Sequence, residues 1–385
     1  MELRSAEEPL IEQRERLQGR AHANALRSAA EARAAVLPSH RVLMLATLFE
    51  MPYRVLRCAQ ASGAEVYVTG NAGARALRLS RSCRKFFLTE CVIHGGRDEA
   101  LALEINCLAR DLGITTVMAG DAPSTRSLIA NRDLIEARCF PMPDLATFDR
   151  LNDKSCFADL CTELGIPHPR TALLADVSEL AQGLSDGSLQ CPLVAKPLGR
   201  SGGGGVIVLD GTATAAKLKA INYRPILVQP FVPGEDIGAS IYARGGKILA
   251  FVVHKFWRQI YSTFRDDRTY EHLAKLARHL SLDGVYNFDM RLEPDGTVLF
   301  LECNPRFFYK IALSMVAGIN FVGYGLGGSN QEAQFILEDV KVRLPKALVF
   351  SLATSARCGR RDWRMARYLY SDPLPYLVER LKLSA

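Results

Sequence analysis

Residues 287–306, with the sequence NFDMRLEPDGTVLFLECNPR, restrict the fold of this chain more than any other segment. Two runs of alternating apolar and polar residues flank Pro294, Asp295 and Gly296, an arrangement typical of a β-hairpin. Successive side chains of a strand point to opposite faces. We therefore expect a buried face that consists of Phe288, Met290, Leu292, Leu299, Leu301 and Cys303. We expect the opposite face to carry Asn287, Asp289, Arg291, Glu302 and Asn304.

This alternation produces a pair of facing carboxylates. If Asp295 and Gly296 form a two-residue loop, Asp289 lies directly opposite Glu302, where two negative charges repel each other. A divalent cation between them would remove the repulsion, and Asn304 would add a neutral oxygen ligand. Oxygen ligands of this kind suit Mg²⁺, and Mn²⁺ could take the same set. The alternative is a surface hairpin whose acidic side chains are solvated.

The composition excludes several classes of protein. At 385 residues, 48% of them hydrophobic, the chain has room for two or three packed units. No apolar run is long enough for a membrane span, and MELRSAEEPL lacks the apolar segment of a signal peptide. Ten cysteines without a C-x-x-C pair indicate free thiols in a reducing cytoplasm. The net charge of +7 suits an anionic ligand and does not by itself indicate nucleic acid.

Strands and helices alternate in the segment that follows the first forty residues. RVLMLAT, AEVYVTGN and TTVMAG have the pattern of short buried strands, and helical segments lie between them. This alternation predicts a parallel sheet with crossover helices. No G-x-G-x-x-G follows the first strand, so dinucleotide binding is not supported. At the strand ends, a group of residues either lines a ligand crevice or caps loops: Thr47, Phe49, Glu50, Asp121, Ser124 and Thr125.

Two lysines and a glycine-rich loop indicate a phosphate-binding site. The strand through Val194 presents Lys196, and residues 199–205 connect it to the strand VIVL. The loop contains the consecutive glycines Gly202, Gly203, Gly204 and Gly205. Their backbone amides can approach phosphate oxygens closely. Lys154 lies in the first turn of a helix, an unfavourable place for a cation unless an anion binds there. The alternatives are a surface linker and a solvated lysine.

A stiff connection follows the strand ILVQ, and its backbone can hydrogen-bond a flat ring. Its candidate base-binding residues are Gln229, Pro230, Phe231 and Val232. Glu235 and Asp236 follow at the distance where sugar hydroxyls are expected, although such acids also occur in solvated turns. A later segment could hold an acidic substrate through Lys255, Arg258, Tyr261, Ser262 and Thr263. His254 is expected to be a structural histidine and not a base.

In their order and spacing, these features resemble the ATP-grasp superfamily, and more narrowly the carbamoyl-phosphate-synthase-like ATP-grasp ligases. The resemblance covers residues 40–325. It implies that Lys154, Lys196 and the glycine loop bind the phosphates of ATP. It implies that the connection after ILVQ binds adenine and that Asp236 binds the ribose.

The resemblance also assigns roles to the hairpin. Asp289, Glu302 and Asn304 match the magnesium ligands of the family in type and spacing. Arg306 of the N-P-R tripeptide is similar to an arginine that contacts phosphate or the acyl intermediate. Arg291 lies on the same face as the magnesium ligands, and we expect it to contact the substrate. Arg306, Arg291 and Lys196 are therefore the candidate catalytic residues.

The resemblance implies an α/β fold that is α+β in its ATP-binding part. A Rossmann-like pre-ATP-grasp domain is expected at residues 38–145 and a two-lobed ATP-grasp module at residues 146–330. Residues 1–37, rich in Ala, Arg and Glu, are expected to form a helical or mobile extension. Residues 331–385 are expected to form a basic helical region, whose charged face is solvated or docks on the main body.

The implied activity is that of a carboxylate–amine ligase. ATP would convert a small carboxylic acid to an acylphosphate, and an amine would displace phosphate. These two small molecules are the expected partners, with no nucleic acid and no integral membrane segment, and a homodimer is compatible with the sequence. One alternative is a carboxylase or kinase that acts on bicarbonate or another oxyanion. The other is a nucleotide-binding regulatory protein without turnover.

The chain departs from the family pattern at three places. Gln229 stands where many members have glutamate, and Asp236 replaces a more usual glutamate. The segment from Arg258 to Thr263 lacks a glycine pair that is common in relatives. The identity of the substrate therefore does not follow from the resemblance.

Overall fold

The computed structural model describes residues 40–199, 204–212, 214–327, 332–345 and 358–381. The expected N-terminal extension at residues 1–37 lies outside the described residues, as do Gly202 and Gly203 of the glycine loop. The described residues from Arg41 onward belong to one packed unit, which contains three sheets.

The first sheet confirms the predicted parallel architecture. Its five strands are β1 (Arg41–Ala46), β2 (Glu65–Gly70), β3 (Cys83–Leu88), β4 (Thr116–Ala119) and β5 (Arg138–Cys139), in the order β3-β2-β1-β4-β5. The helices associated with it are α1 (Glu50–Ala61), α2 (Glu99–Leu112), α3 (Ala122–Ala130) and α4 (Leu145–Asn152). Val42 and Met44 pack into one core cluster and Leu43 and Leu45 into another, so the central strand is apolar on both faces.

The polar residues at the ends of β1 and β4 cap loops. The carboxylate of Asp121 accepts hydrogen bonds from the backbone amide of Thr47 at 2.7 Å and from its hydroxyl at 2.9 Å. Asp121 and Ser124 also form a capping box at the start of α3, and the Thr125 hydroxyl donates to the Asp121 carbonyl. Phe49 is buried and stacks on Tyr53. Thr47, Asp121, Ser124 and Thr125 therefore make the contacts expected of loop capping, whereas Phe49 packs in the core.

The second sheet is small and antiparallel. Its strands are β6 (Ala172–Leu174), β7 (Leu193–Pro197), β8 (Ile207–Leu209) and β9 (Ile226–Pro230), in the order β6-β9-β7-β8. Helices α6 (Val177–Ser185) and α7 (Thr214–Ala220) belong to the same part of the chain. Leu180, Leu193, Ala195 and Leu209 form its separate core, so this lobe is stabilised by apolar burial of its own.

The third sheet has seven strands. They are β10 (Glu235–Arg244), β11 (Lys247–Trp257), β12 (Ile260–Phe264), β13 (Gly284–Leu292), β14 (Val298–Asn304), β15 (Gln334–Ile336) and β16 (Lys341–Arg343). The order is β14-β13-β10-β11-β12-β16, and β15 pairs with β11. The associated helices are α5 (Lys154–Leu164), α8 (Asp267–His279), α9 (Ile311–Ala317) and α10 (Phe321–Leu326). Two strands of this sheet thus come from residues 331–385, for which the sequence indicated helices alone.

The β13–β14 hairpin places Asp289 opposite Glu302, although its loop differs from the expected one. The prediction of a two-residue loop was wrong. The Glu293 amide donates to the Thr297 carbonyl at 2.8 Å, and three residues lie between these two. Gly296 has a φ of 89°, which a residue without a Cβ adopts at little cost.

A β-bulge restores the register between the two carboxylates. Met290 pairs with Phe300 and Asp289 pairs with Glu302, so Leu301 is the extra residue of β14. Phe300 is therefore buried in the core beside Phe288, whereas Leu301 lines a cavity. The expectation that Leu299 and Leu301 share the buried face with Met290 was wrong, since the bulge reverses the alternation at this point.

The basic C-terminal segment contains two helices, α11 (Arg360–Tyr370) and α12 (Leu374–Leu381). Met365 and Ala366 of α11 are buried, and the carboxylate of Asp362 accepts hydrogen bonds from the amide and guanidinium of Arg343. The guanidinium of Arg57 lies 3.7 Å from the ring centroid of Tyr368. The segment docks on the main body, as one of the two expectations for it stated. Among the described residues, no helix is both long enough and apolar enough to cross a membrane.

Candidate active site

A cavity of about 560 Å³ lies between the four-stranded and the seven-stranded sheet. Its lining brings together most of the residues predicted to bind the nucleotide or the metal, or to act in catalysis: Lys154, Lys196, Gly204, Gln229, Pro230, Phe231, Val232, Asp236, Asp289, Arg291 and Glu302. These residues come from six separate strands or helices, which the sequence could connect only through the resemblance.

Lys154 reaches this cavity from the first turn of α5. The side chain of Asp153 caps the helix by accepting hydrogen bonds from the amides of Ser155 and Cys156. The ammonium of Lys154 lies 3.2 Å from a carboxylate oxygen of Glu302 and donates to the Leu198 carbonyl. The cation therefore stands against the carboxylate pair.

Lys196 lies on β7 and is held by Gln229 of the neighbouring strand β9. Its ammonium donates to the Gln229 side-chain oxygen at 2.8 Å, and the Gln229 amide nitrogen donates to the Thr171 hydroxyl at 2.9 Å. Burial lowers the pKa of Lys196, and the negative charge of Glu302 opposes that shift. Gln229 thus orients the lysine and, in the ranges that the structure describes, leaves its positive charge unpaired by a protein anion. A glutamate at this position would neutralise that charge.

Arg291 organises the connection that follows β9. Its Nε donates to the Val232 carbonyl at 3.0 Å, and its guanidinium pairs with Asp236 and lies 5.9 Å from the ring centroid of Phe231. Arg291 therefore lies at the predicted base and ribose end of the cavity. Glu235 points elsewhere because adjacent strand residues alternate. It is exposed and forms an ion pair with Lys255, and the cavity lining does not include it.

The carboxylate of Asp289 is buried among polar side chains. Asn287 donates to one of its oxygens at 3.2 Å, and Asn304 donates to the other at 3.1 Å. Burial, together with the charge of Glu302, raises the pKa of Asp289 to about 7. Burial acts on Glu302 in the same direction, but the charges of Lys154 and Lys196 and the hydrogen bonds with Lys154 and Asp289 together outweigh it, so the pKa of Glu302 is lowered. A cation that binds at this pair would therefore displace the proton of Asp289.

The donor set of this pair fits a hard divalent cation. Asp289 and Glu302 supply carboxylate oxygens, which Mg²⁺ prefers together with oxygens of substrate phosphates. Among the described residues, no three His, Cys, Asp or Glu side chains cluster as metal ligands, so a third protein ligand would come from an amide. The Asn304 oxygen accepts a hydrogen bond from Arg306 at 2.7 Å, and its nitrogen faces Asp289. Asn304 would have to turn its amide to serve as that ligand.

A second cavity of about 220 Å³ adjoins the first. It is lined by Asn287, Asp289, Glu302, Asn304, Arg306, Phe308, Tyr309 and Lys310. Arg306 is buried, and its guanidinium donates to the Asn304 oxygen and to the Phe307 carbonyl. This cavity has two cations and two aromatic rings, which can accommodate an organic anion.

The five residues predicted to hold an acidic substrate line neither the larger nor the smaller cavity. Lys255 is half exposed in its ion pair with Glu235, and Arg258 lies in the turn between β11 and β12. The Tyr261 hydroxyl hydrogen-bonds the Ser314 hydroxyl, and the Thr263 hydroxyl donates to a backbone carbonyl. Ser262, between them, is buried. Their role in substrate binding stays an untested prediction.

The sequence assigned no role in the site to Lys310, Asn287 or Thr171. Lys310 lines both cavities, Asn287 bonds Asp289, and Thr171 holds Gln229. Only Asn287 had a signal, because strand alternation places it on the face of Asp289. Thr171 lies 58 residues from Gln229, and the position of Lys310 depends on the turn after β14.

Comparisons with known proteins cover part of the chain. A family model described as "ATP-grasp in the biosynthetic pathway with Ter operon" matches residues 222–346. The arginine-specific large chain of carbamoyl phosphate synthase from Bacillus subtilis is 24% identical over 196 residues, which are 46% of this chain and 19% of that protein. Its counterpart from Geobacillus stearothermophilus is 25% identical over 176 residues, 41% of this chain and 16% of that one. The chain thus spans less than a fifth of the length of these relatives.

Solved structures show the same fold at low identity. An N5-carboxyaminoimidazole ribonucleotide synthetase in complex with ADP has a TM-score of 0.63 and 15% identity, with 83% of this chain and 86% of that chain covered. The biotin carboxylase domain of the 2-oxoglutarate carboxylase from Hydrogenobacter thermophilus has a TM-score of 0.59 and 14% identity, with 79% and 73% covered. An L-amino acid ligase from Bacillus licheniformis has a TM-score of 0.55 and 16% identity, with 76% and 72% covered.

Proposed function

We propose that this chain is an ATP-dependent carboxylate–amine ligase of the ATP-grasp superfamily, and the family model that matches residues 222–346 supports this proposal. It would join a small carboxylic acid to an amine through an acylphosphate and release ADP and phosphate. The observation that carries this proposal is the junction of the two cavities at Asp289 and Glu302. A nucleotide in the larger cavity and an acid in the smaller one would meet at these carboxylates.

The larger cavity has suitable groups along the length of a nucleotide. The backbone of Pro230 to Val232 and the half-exposed ring of Phe231 would hold adenine, and Asp236 would hold the ribose. At the opposite end, Lys154, Lys196 and the glycine loop would hold the phosphates. Lys196 is suited to this role because its protein partner, Gln229, is uncharged.

The chemistry would depend on charge neutralisation at the junction. Magnesium bound by Asp289 and Glu302 would offset the negative charge of the phosphates during transfer. Arg306, fixed by Asn304 and the Phe307 carbonyl, would orient the carboxylate of the acid in the smaller cavity. No protein nucleophile is needed, because the carboxylate itself attacks the terminal phosphorus of ATP.

A screen over paired acids and amines tests the proposal. ADP release is measured for each pair, and product mass identifies an amide. The proposal expects release that depends on the acid, with one amide formed per ADP. ADP release without an amide would instead support the carboxylase or kinase. ATP binding without hydrolysis over the whole panel would support a regulatory protein.

A further inference from the structure

Lys310 occupies the boundary between the two cavities. Their linings share three residues, which are Asp289, Glu302 and Lys310. Lys310 directly precedes α9, whose first residue is Ile311, and its backbone carbonyl accepts hydrogen bonds from Leu313 and Ser314. The backbone that carries this side chain is therefore fixed by the helix.

The ammonium of Lys310 differs from the other cations nearby. Those cations have protein partners: Lys154 with Glu302, Lys196 with Gln229, Arg291 with Asp236 and Arg306 with Asn304. Within the described part of the chain, the Lys310 ammonium has no hydrogen bond and no ion pair. Asp289 is near enough for the charge of Lys310 to oppose the rise in its pKa. A cation bound by Asp289 would cancel this attraction and leave Lys310 to face a further anion.

We propose that Lys310 is a catalytic residue that contacts the phosphoryl group while it passes from ATP to the acid. This inference rests on the proposed function, since it requires phosphoryl transfer at the junction. In that step the bond between the γ-phosphorus and the β,γ-bridging oxygen breaks, and its electron pair stays on ADP. A carboxylate oxygen of the acid supplies the pair for the new phosphorus–oxygen bond, and no proton moves. Lys310 lines both the cavity proposed for ATP and the cavity proposed for the acid. Its ammonium can therefore stabilise the negative charge of the phosphoryl group throughout the transfer.

The affinity for ADP with a metal fluoride tests this contact without knowledge of the acid. ADP, Mg²⁺ and fluoride mimic the transferring phosphoryl group, and mimics of this kind bind more tightly than ground-state ligands. We expect fluoride to strengthen ADP binding by at least about tenfold in the wild-type chain. In Lys310→Met the gain falls below about threefold, and Lys310→Arg retains part of it as a cation of different shape. The gain is measured against the affinity of each variant for ADP alone, and a circular dichroism spectrum and thermal unfolding midpoint like those of the wild-type chain show that both variants are folded.

Lys341→Met is the matched control, because Lys341 lies on β16, is exposed and forms an ion pair with Asp339. It retains the full gain. If fluoride strengthens ADP binding as much in Lys310→Met as in the wild-type chain, the inference is overturned. If fluoride does not strengthen ADP binding in the wild-type chain, both the inference and the proposed phosphoryl transfer are overturned. If fluoride strengthens ADP binding only when Lys310 is present but the acid–amine screen yields no amide, the contact of Lys310 with the phosphoryl group is supported and the proposed ligase activity is contradicted.

Discussion

Asp289 on β13 and Glu302 on β14 are direct partners in an antiparallel pair, and both side chains line both cavities. Facing carboxylates destabilise a strand pair. Here Lys154 offsets the charge of Glu302, and Asn287 and Asn304 donate hydrogen bonds to Asp289. The protein thus maintains an unfavourable pair at the centre of the site, which is consistent with a cation-binding role.

Glu302→Gln keeps the shape of the side chain and removes its charge. We expect acid-dependent ADP release to fall by at least about 100-fold, because magnesium loses a ligand at the point of transfer. A coupled ADP assay at saturating ATP and Mg²⁺ measures this change. Glu338→Gln, on an exposed side chain, is the control and keeps its activity. Turnover near the wild-type rate in Glu302→Gln would remove the carboxylate pair from the mechanism.

Arg291→Met separates nucleotide binding from chemistry. Arg291 contacts the Val232 carbonyl, Asp236 and the Phe231 ring, at the end of the cavity away from Lys154. We expect the KM for ATP to rise about tenfold or more with little change in kcat, because Arg291 stabilises bound ATP and the transition state equally. Steady-state kinetics over a range of ATP concentrations measure both constants. A fall in kcat at saturating ATP would return Arg291 to the catalytic role suggested by its position on the hairpin.

Lys196→Met tests the phosphate end of the same cavity. The methionine keeps most of the buried hydrocarbon but removes the charge and leaves the Gln229 oxygen without its donor. We expect ATP affinity to fall by at least about tenfold. Lys217→Met, in the same lobe, removes a lysine that is paired with Asp210, and it leaves ATP affinity unchanged. Equal affinities in the two variants, measured by calorimetry, would exclude a phosphate contact by Lys196.

His254→Phe tests the pH dependence of stability. His254 is fully buried, and neither ring nitrogen has a hydrogen-bond partner among the described residues. Burial, and to a lesser extent the charge of Lys310, lowers the pKa of His254 well below 6.5. The unfolded chain therefore binds the proton first, and the wild-type protein loses up to about 1.4 kcal/mol for each pH unit below about 6.5.

In His254→Phe this loss disappears, while the ring still stacks against Tyr261 and Phe308. Urea unfolding of both proteins at pH 7.5 and pH 5.5 gives the difference. We expect the wild-type chain to lose more stability than the variant between these two values. Parallel losses would show that His254 is protonated in the folded protein.

The sequence predicts the strands better than the contacts between them. Parity along the hairpin placed Asp289 opposite Glu302, even though the loop has one residue more than expected. The prediction holds because the bulge at Leu301 adds one residue to the same strand and shifts the register back. Alternation alone cannot reveal a bulge, so Phe300 was not expected in the core.

The sequence did not predict the positions of residues that are placed by pairing between strands far apart in the chain. Arg291 lies beside the connection that follows β9 because β13 pairs with β10, where Asp236 is its direct partner. The same pairing directs Glu235 away from the cavity. Lys310 follows the N-P-R tripeptide by only four residues, but its place between two cavities depends on how α9 packs against the sheet. Local patterns carry no information on such placements.

The most direct test of the central claim follows the oxygen atoms of the acid. Once the screen identifies a productive acid, the reaction is run with ¹⁸O in its carboxylate, and the released phosphate is analysed by mass spectrometry. An acylphosphate intermediate transfers one ¹⁸O atom from the acid to phosphate for each amide formed. We expect that stoichiometry. Phosphate without the label, released while amide accumulates, would contradict an acylphosphate at the junction of Asp289 and Glu302.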